Sequence, residues 1–569
     1  MKQELERAVR DCTRQVFTVD VDIELTRPDE KFGDYATNVA LQLANQLGQN
    51  PRSIAETLAT NLRSALSDKI SEVSVAGPGF INLRLADDYL LQTQLKPNQP
   101  TRVRAGQKVV IETNNPNPFK AMHIGHAFNA ILGDTLANLI EYSGAETHRV
   151  GYHGDVGTHV GKSMWAILKY LGGDLSRLDA IPVQARNEFM SRMYVEGAEA
   201  YNTSPEVKQV VEQLAEMSFS LVDPTYRQVY ETCKAWSFEL LSATVARLGC
   251  LPTERQYMES AADQMGVDTV MKHIGSVFTE SDGAYIFEGE KYGVFTNVFV
   301  SSRGRGLYAA HDLGLMQLKQ QDYHPDKSYI VTAEEQRDYF RGIIKASELC
   351  LPELNGVTTN LTTGTVKLAT GKMSSRSGTV LNIDWLFDQV EEAVRRRGGE
   401  PEYNVIVGSL RYQFLKVRVG SDVVFDVNEA VAIQGNSGPY LQYAHARACS
   451  ILAKVSTQTL LQAAELSLGM EAGERSLWRK ISEYPEVVEV AVGQLMPHHI
   501  CTYLYELAQT FNSFYEHNRV IGDARQAARL TLVAVYIDTL AKGLQLLGIP
   551  APNSMQAINK EFPNKIIET

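Results

Sequence analysis

Residues 108–144 read KVVIETNNPNPFKAMHIGHAFNAILGDTLANLIEYSG, and the order of residue types within them sets the fold class. KVVIET is a short apolar run rich in β-branched residues, which predicts a buried strand. The Asn-Pro pairs of NNPNPFKAM turn the chain. Beyond them Phe128, Ile131, Leu132, Leu136, Leu139 and Ile140 fall on one helical face, and Gly144 is a natural stop. Strand, loop and helix in this order open a doubly wound α/β domain, with HIGH (123–126) at the helix start.

A helix start carries unpaired N–H groups and the positive end of the dipole. His123 and His126 lie one turn apart and can donate to phosphate oxygens. Gly125 lets a flat base approach the backbone, and Lys120 adds a mobile charge. Taken alone, two histidines at a helix start are more often chance than a site. A second segment changes that balance. Lys372-Met373-Ser374-Ser375-Arg376-Ser377-Gly378 follows TTGTVKLATG, and a lysine with hydroxyls in a glycine-flanked loop suits phosphates leaving a reaction centre.

Working outward, residues ~165–260 read mostly as helices, and strand-like segments resume at GAYIFEG, YGVFTNVFVSS and KSYIVTA. That order predicts a helical insertion inside an α/β domain. From about residue 390 the pattern is helical almost throughout, ending in TLVAVYIDTLAKGLQLLG closed by Gly548. Upstream, PRSIAETLATNLRSAL (51–66) predicts a helix opened by proline. VSVAGPGFINLRL predicts two strands around a Gly-Pro-Gly turn, and LKPNQPTRVRAGQ (95–107) a linker.

The chain has 569 residues, enough for about three or four domains. Its charge of 55 − 67 = −12 argues against indiscriminate binding to nucleic acid, though a local basic face on an acidic body remains compatible with it. The six cysteines are scattered with no CxxC pair, so neither a zinc site nor a disulfide framework is expected. There is no apolar signal core at the N-terminus and no run long enough to span a membrane, so a reducing cytoplasm is the expected compartment.

HIGH after the first strand and a KMSKS-like loop after the last resemble the signature of class I aminoacyl-tRNA synthetases. Within that class, ETNNPNPFKAMHIGH (112–126), GDVGTH (154–159), GLYAAHDL (306–313) and GNSGPYLQYAHAR (435–447) resemble arginyl-tRNA synthetases in that order. KFGDYATNVA (31–40) and GPGFINLRL (77–85) are similar to that family's N-terminal extension, and GLQLLGIPAP (543–552) to its C-terminus. The resemblance spans essentially the whole chain. It implies a Rossmann-like α/β catalytic domain at 105–390 with a helical insertion at about 165–260. It also implies an α+β N-terminal tRNA-contacting domain at 1–95 and an all-α anticodon-binding bundle at 391–569.

The resemblance further implies an arginine–tRNA ligase: ATP and arginine give arginyl-adenylate, and the terminal ribose of the tRNA then takes the arginyl group. Carried over residue by residue, Lys120, His123, His126, Lys372, Ser374 and Ser375 serve catalysis, and Gly125 and Met373 join them around ATP. Glu112, Asn115, Asn117, Tyr308, Asp312, Glu335 and Gln336 surround arginine. A guanidinium needs carboxylates in fork geometry, which suits Glu112 and Asp312. On spacing alone, Tyr308 and Asp312 are also an ordinary helix-start pair. Phe80, Asn82, Tyr440, Tyr443 and Arg447 fall where the family reads tRNA. Stacking on bases and half-buried packing use the same residue types, so both readings stand for these. Arg395, Arg396, Arg397, Arg411, Lys416 and Arg418 are candidates for phosphate contacts or a solvated face. The implied partners are arginine's tRNA, L-arginine and ATP with Mg2+, with a monomer, no structural metal and no membrane.

The sequence departs from the family pattern in places. Glu335 stands where the family usually has glutamine, with Gln336 next to it. GDVGTH replaces GDWGTQ, Ala127-Phe128 follows HIGH, and Ser375 takes the place of the second signature lysine, a charge Lys120 is expected to replace in part. GTHVGKS (157–163) resembles a P-loop but has three residues between its glycines where four are required, and no clear buried strand is expected before it. Two other classes compete with the ligase: a non-catalytic tRNA-binding paralogue, and a small-molecule nucleotidyltransferase that would not need the helical C-terminal segment.

Overall fold

The computed structural model describes residues 1–95, 102–369, 382–455 and 469–555. At the N-terminus, strands β1 (Tyr35–Thr37), β2 (Ile70–Ala76) and β3 (Phe80–Leu85) form an antiparallel sheet with β3 in the centre. Helices α1 (Lys2–Phe17) and α2 (Pro51–Ala65) bury Leu5, Val9, Leu58 and Leu62 in the same core as Ile81 and Leu83 of β3. Pro51 opens α2 behind Asn50, whose side chain accepts the Arg52 N–H.

The strand expected at KVVIET is β4 (Lys108–Asn114), buried from Val109 to Asn114. It leads into α3 (Ile124–Tyr142). Gly133 lets that helix lie close on the strand, since a Cβ there would stand 2.9 Å from the Thr113 Cα. Then come β5 (Glu146–His153) and, much later, β6 (Arg255–Met258). Between them α4 (Thr158–Leu171), α5 (Arg186–Thr203), α6 (Pro205–Ser220) and α7 (Pro224–Arg247) pack largely on their own core, which includes Met164, Phe189, Tyr230 and Trp236.

After β6 follow α8 (Glu259–Lys272), a small antiparallel sheet of β7 (Thr279–Ser281), β8 (Ala284–Phe287) and β9 (Asn297–Val300), then α9 (Tyr308–Tyr323). The chain returns to the main sheet through β10 (Lys327–Ala333), α10 (Arg337–Cys350) and β11 (Thr358–Thr363). That sheet runs β11-β10-β4-β5-β6 with every neighbouring pair parallel. The strand order reverses between β10 and β4. In such sheets the crevice at the carboxyl ends of the strands at that reversal holds the ligand.

Beyond it, β12 (Val366–Leu368) pairs in parallel with β13 (Val423–Phe425). β13 interrupts the helices expected beyond residue 390; three residues are too short to carry a readable period. The remaining elements used below are α11 (Ile383–Arg396), α12 (Tyr403–Leu415), α13 (Gly438–Leu452), α14 (Ala472–Ser482), α15 (Tyr484–Gln494), α16 (His498–His517) and α17 (Gln526–Leu546).

Several ion pairs fasten this helical part to the rest, and two of them lie deep. Arg475 of α14 donates both terminal nitrogens to Asp34, in the fork geometry that makes arginine–carboxylate pairs strong. Arg411 of α12 is fully buried and donates to Asp134 and Thr135 of α3 and to the Leu547 and Gly249 carbonyls. Arg411 is therefore not available to tRNA phosphates, which corrects the sequence expectation. Charge counting along the chain cannot tell a surface arginine from one that bolts two layers together.

Candidate active site

A cavity of about 930 Å³ opens at the sheet reversal, near the upper end of sizes usual for small-molecule sites. Its walls are the carboxyl ends of β4, β5, β10 and β11 and the starts of α3, α8 and α9. The loop after β4 is stapled over it by two asparagines. Asn115 accepts the Tyr152 N–H and Asn117 the Gly154 N–H, each at 2.9 Å. Both lie within a few residues of β4's end, which explains why short amide side chains alternate with prolines there.

His123 caps α3: its Nδ1 accepts the Gly125 N–H at 3.2 Å, while the His126 Nδ1 accepts the His123 N–H at 3.3 Å. The two rings stack 3.7 Å apart. Because both Nδ1 atoms accept, the ring protons sit on Nε2 and remain free to donate. Burial, then the charge of Lys120, pushes His123 down to about 4. Burial, His123 and Lys120 push His126 down to about 3. At neutral pH the pair is thus uncharged and fixed in the donating tautomer.

At another part of the wall stand three carboxylates. Glu112 is 2 % exposed, and each of its oxygens accepts a bond at 2.7 Å, one from the buried Lys319 ammonium and one from Asn115. This revises the expectation that Glu112 grips a guanidinium directly: its charge is already matched, and it holds Asn115 in place. Asp312 accepts from the Tyr339 hydroxyl at 2.6 Å and forms no ion pair among the described residues, although the charge of the adjoining His311 acts on it. Burial, with Glu112 and Glu259 nearby, raises its carboxyl to about 7. Glu259 at the start of α8 is the third, bound at one oxygen by His311.

Of the residues expected from sequence, Glu112, Asn115, Asn117, His123, Gly125, His126, Tyr308, Asp312, Glu335 and Gln336 all line this cavity. Glu335 and Gln336 share a single turn before α10, so both reach its rim. Lys120 does not line it. It lines a smaller neighbouring cavity with Asn187 and Asp384, its ammonium 5.8 Å from the Tyr194 ring. Lys372, Met373, Ser374 and Ser375 lie outside the described residues, as does part of the expected linker. On either side of that signature segment, Val366 lines the cavity and Asn382 bridges to His123.

Phe80 is 43 % exposed at the head of β3, whereas Asn82 is buried in the centre of its sheet. Tyr440 accepts from Asn512, Tyr443 is half-buried, and the Arg447 guanidinium lies 4.8 Å from the Tyr515 ring. GTHVGKS has a strand before it after all, since β5 ends at His153; its His159 bonds the Gly154 carbonyl at 2.7 Å. Glu259, Tyr152 and Tyr339 also line the cavity and were missed. For Glu259 there was a signal, because a short strand runs straight into a helix at YMES, and a helix start at a strand's carboxyl end faces the crevice of such a sheet.

Comparison with known proteins gives a consistent picture. Three family descriptions match in sequence: an arginyl-tRNA synthetase N-terminal domain at residues 1–85, a class I (R) tRNA synthetase catalytic domain at 88–424, and a DALR anticodon-binding domain at 441–555. An arginine–tRNA ligase of Synechococcus sp. is 29% identical over 555 residues, covering 91% of this chain and 93% of the relative. One of Bdellovibrio bacteriovorus is 29% identical over 559 residues, covering 93% of each. The solved Thermus thermophilus arginyl-tRNA synthetase superposes with a TM-score of 0.78 at 25% identity, covering 98% of this chain and 100% of that one.

Proposed function

The chain belongs to the class I arginyl-tRNA synthetases, the ATP-dependent ligases of arginine and its tRNA, and on that premise we propose how its residues share the work. Asp312 and Glu259 take the guanidinium, with Tyr308, Tyr152 and Tyr339 around it. Glu112 acts through Asn115, and Asn117 with Glu335 or Gln336 holds the amino-acid end. Gly125 lets the nucleotide lie close to the start of α3. His123 and His126 donate their Nε2–H groups to the phosphates, and Lys372, Met373, Ser374 and Ser375 close on them from the signature segment.

In the first step an arginine carboxylate oxygen attacks the α-phosphorus of ATP. The bond to the bridging oxygen breaks, and pyrophosphate leaves with its electron pair. In the second, the 2′-hydroxyl of the terminal ribose attacks the arginyl carbonyl and gives up its proton, the bond from that carbon to the phosphate oxygen breaks, and AMP departs with the electron pair. No protein nucleophile is required. Positioning and neutral donors aimed at developing charge carry the catalysis. Magnesium is taken to arrive with ATP, held by its phosphates and water. Among the described residues no three His, Cys, Asp or Glu form a metal-holding group.

Residues 1–95, 105–390 and 391–569 are proposed as the tRNA-contacting, catalytic and anticodon-binding domains of a cytoplasmic monomer. Phe80 is the best presented of the candidate base contacts. Among the described residues, no helix is long and apolar enough to cross a membrane.

One observation carries this reading. A single cavity holds stacked, neutral donor histidines in one wall and, in another, a buried carboxylate that forms no ion pair among the described residues. Arginine-dependent exchange of pyrophosphate into ATP, in the presence of the tRNA, tests it. His126→Ala should lower the exchange rate by roughly 10²–10³. A wild-type chain that binds the tRNA yet exchanges nothing would instead be the non-catalytic paralogue.

A further inference from the structure

His311 belongs to no part of the mechanism above, yet it is 5 % exposed and both its ring nitrogens meet carboxylates. Nδ1 is 2.7 Å from Glu259 Oε1, and Nε2 is 3.0 Å from Asp263 Oδ1. Glu259 lines the substrate cavity, and Asp263, one turn further along α8, does not. The arrangement is rigid because α8 and α9 touch backbone to backbone. A Cβ on Gly266 would fall 1.8 Å from the Ala310 carbonyl oxygen, and one on Gly314 would fall 2.1 Å from that of Ala262. Gly306 leaves the room that the Asp263 carboxylate occupies, since a Cβ there would stand 2.2 Å from its Oδ1.

We propose that His311 is a positioning residue for arginine recognition: as an imidazolium clamped between Asp263 and Glu259, it fixes the Glu259 carboxylate in the cavity wall. A neutral ring has one N–H and could donate to only one of these two carboxylates, leaving the second facing a lone pair. Two carboxylates and one imidazolium leave one negative charge at this corner, which a guanidinium neutralises.

Other titratable groups near His311 are few. On α9 itself Tyr308 meets it edge-on and Asp312 follows it in the chain. From α10, Tyr339 donates to Asp312; from β4, Glu112 is matched by Lys319; β9 brings no titratable side chain. Burial lowers the ring's proton affinity, but its bonds to Asp263 and Glu259 outweigh that and carry it up to about 9. The sign follows: the clamp is intact below that value and is lost as pH rises through it.

This inference rests on the arginine reading and is tested by measuring KM for arginine and for ATP in the exchange reaction between pH 6 and 10. For the wild type, the arginine KM should climb as pH passes about 9. His311→Gln should raise the arginine KM about tenfold at neutral pH, leave the ATP KM within about twofold, and lack the His311-dependent part of the alkaline climb. Asp263→Asn alters only the outer, better solvated partner, so it should fold and move the climb to lower pH. His311→Lys carries its charge to higher pH and should flatten the climb. The substrate's own α-ammonium titrates alike for every variant and cancels in the comparison. An alkaline limb identical in the wild type, His311→Gln and Asp263→Asn would overturn the proposal while leaving the ligase reading intact. Absence of exchange in the wild type would defeat the ligase reading first.

Discussion

The Arg411 joint and the cavity proposed for arginine treat buried carboxylates differently. Within the protein, Arg411 has no exposed surface, and its fork is met by Asp134, the Thr135 hydroxyl and the carbonyls of Leu547 and Gly249. Burial works against its charge, but Cys250 and Asp134 around it more than compensate and hold its proton more firmly still. At the cavity proposed for arginine, Asp312 and Glu259 have no lysine or arginine partner among the described residues: Asp312 has a tyrosine hydroxyl, and Glu259 shares the His311 ring with Asp263. Burial accordingly pushes the Asp312 carboxyl up to about 7. A matched pair is paid for once, during folding, and serves as a joint. An unmatched carboxylate stays costly until the ligand arrives, and that cost becomes selectivity for a cation.

The comparison breaks most visibly at the joint. Arg411→Met leaves the buried Asp134 with only the Leu251 N–H and a longer contact to Arg149 at 3.8 Å, and should cost about 3 kcal/mol of stability, read as a lower denaturant midpoint. An unchanged midpoint would mean the joint bears no load.

Asp312→Asn should do the reverse. It should lower kcat/KM for arginine by roughly 10², or about 3 kcal/mol, while ATP binding holds and the empty protein becomes no less stable. The sign of its pH dependence is fixed. Asp312 is harder to ionise folded than unfolded, so it withdraws stability as pH rises from the ordinary carboxylate range to about 7, and the asparagine variant should be free of that loss. In the wild type, arginine affinity should fall by up to about tenfold per pH unit below about 7, because the pocket must shed a proton to bind. An arginine KM flat from pH 5 to 8 would mean that Asp312 is not the group that grips the side chain.

The smallest effect is expected at Lys120. Its ammonium lies in the neighbouring cavity but its charge reaches both imidazoles. Lys120→Ala should slow exchange about tenfold, less than loss of a direct donor would. It should also let both histidines titrate nearer their ordinary range, which NMR of the ring protons would follow.

The site's legibility followed sequence distance. The residues at HIGH could be named from the chain because they sit at a helix start that local periodicity marks, while the asparagines before it and the Tyr308–Asp312 pair were named through the family resemblance of their motifs. The partners were not legible. Lys319 meets Glu112 across 207 positions, and Arg411 meets Asp134 across 277. Arg411 was therefore mistaken for a surface charge and Glu112 for a free one, while His311 and Glu259 went unremarked.

By itself, the sequence determined the order of elements, the place where a nucleotide would meet a helix start, and the kinship with arginine-activating ligases. All of these reside in short-range pattern, in which hydrophobic period and turn residues act over a few positions. Only the tertiary structure decided which charges are spent on holding the molecule together and which are left for a substrate. That division depends on what packs against each side chain once the layers close, and burial changes the worth of a charge far more than its identity does.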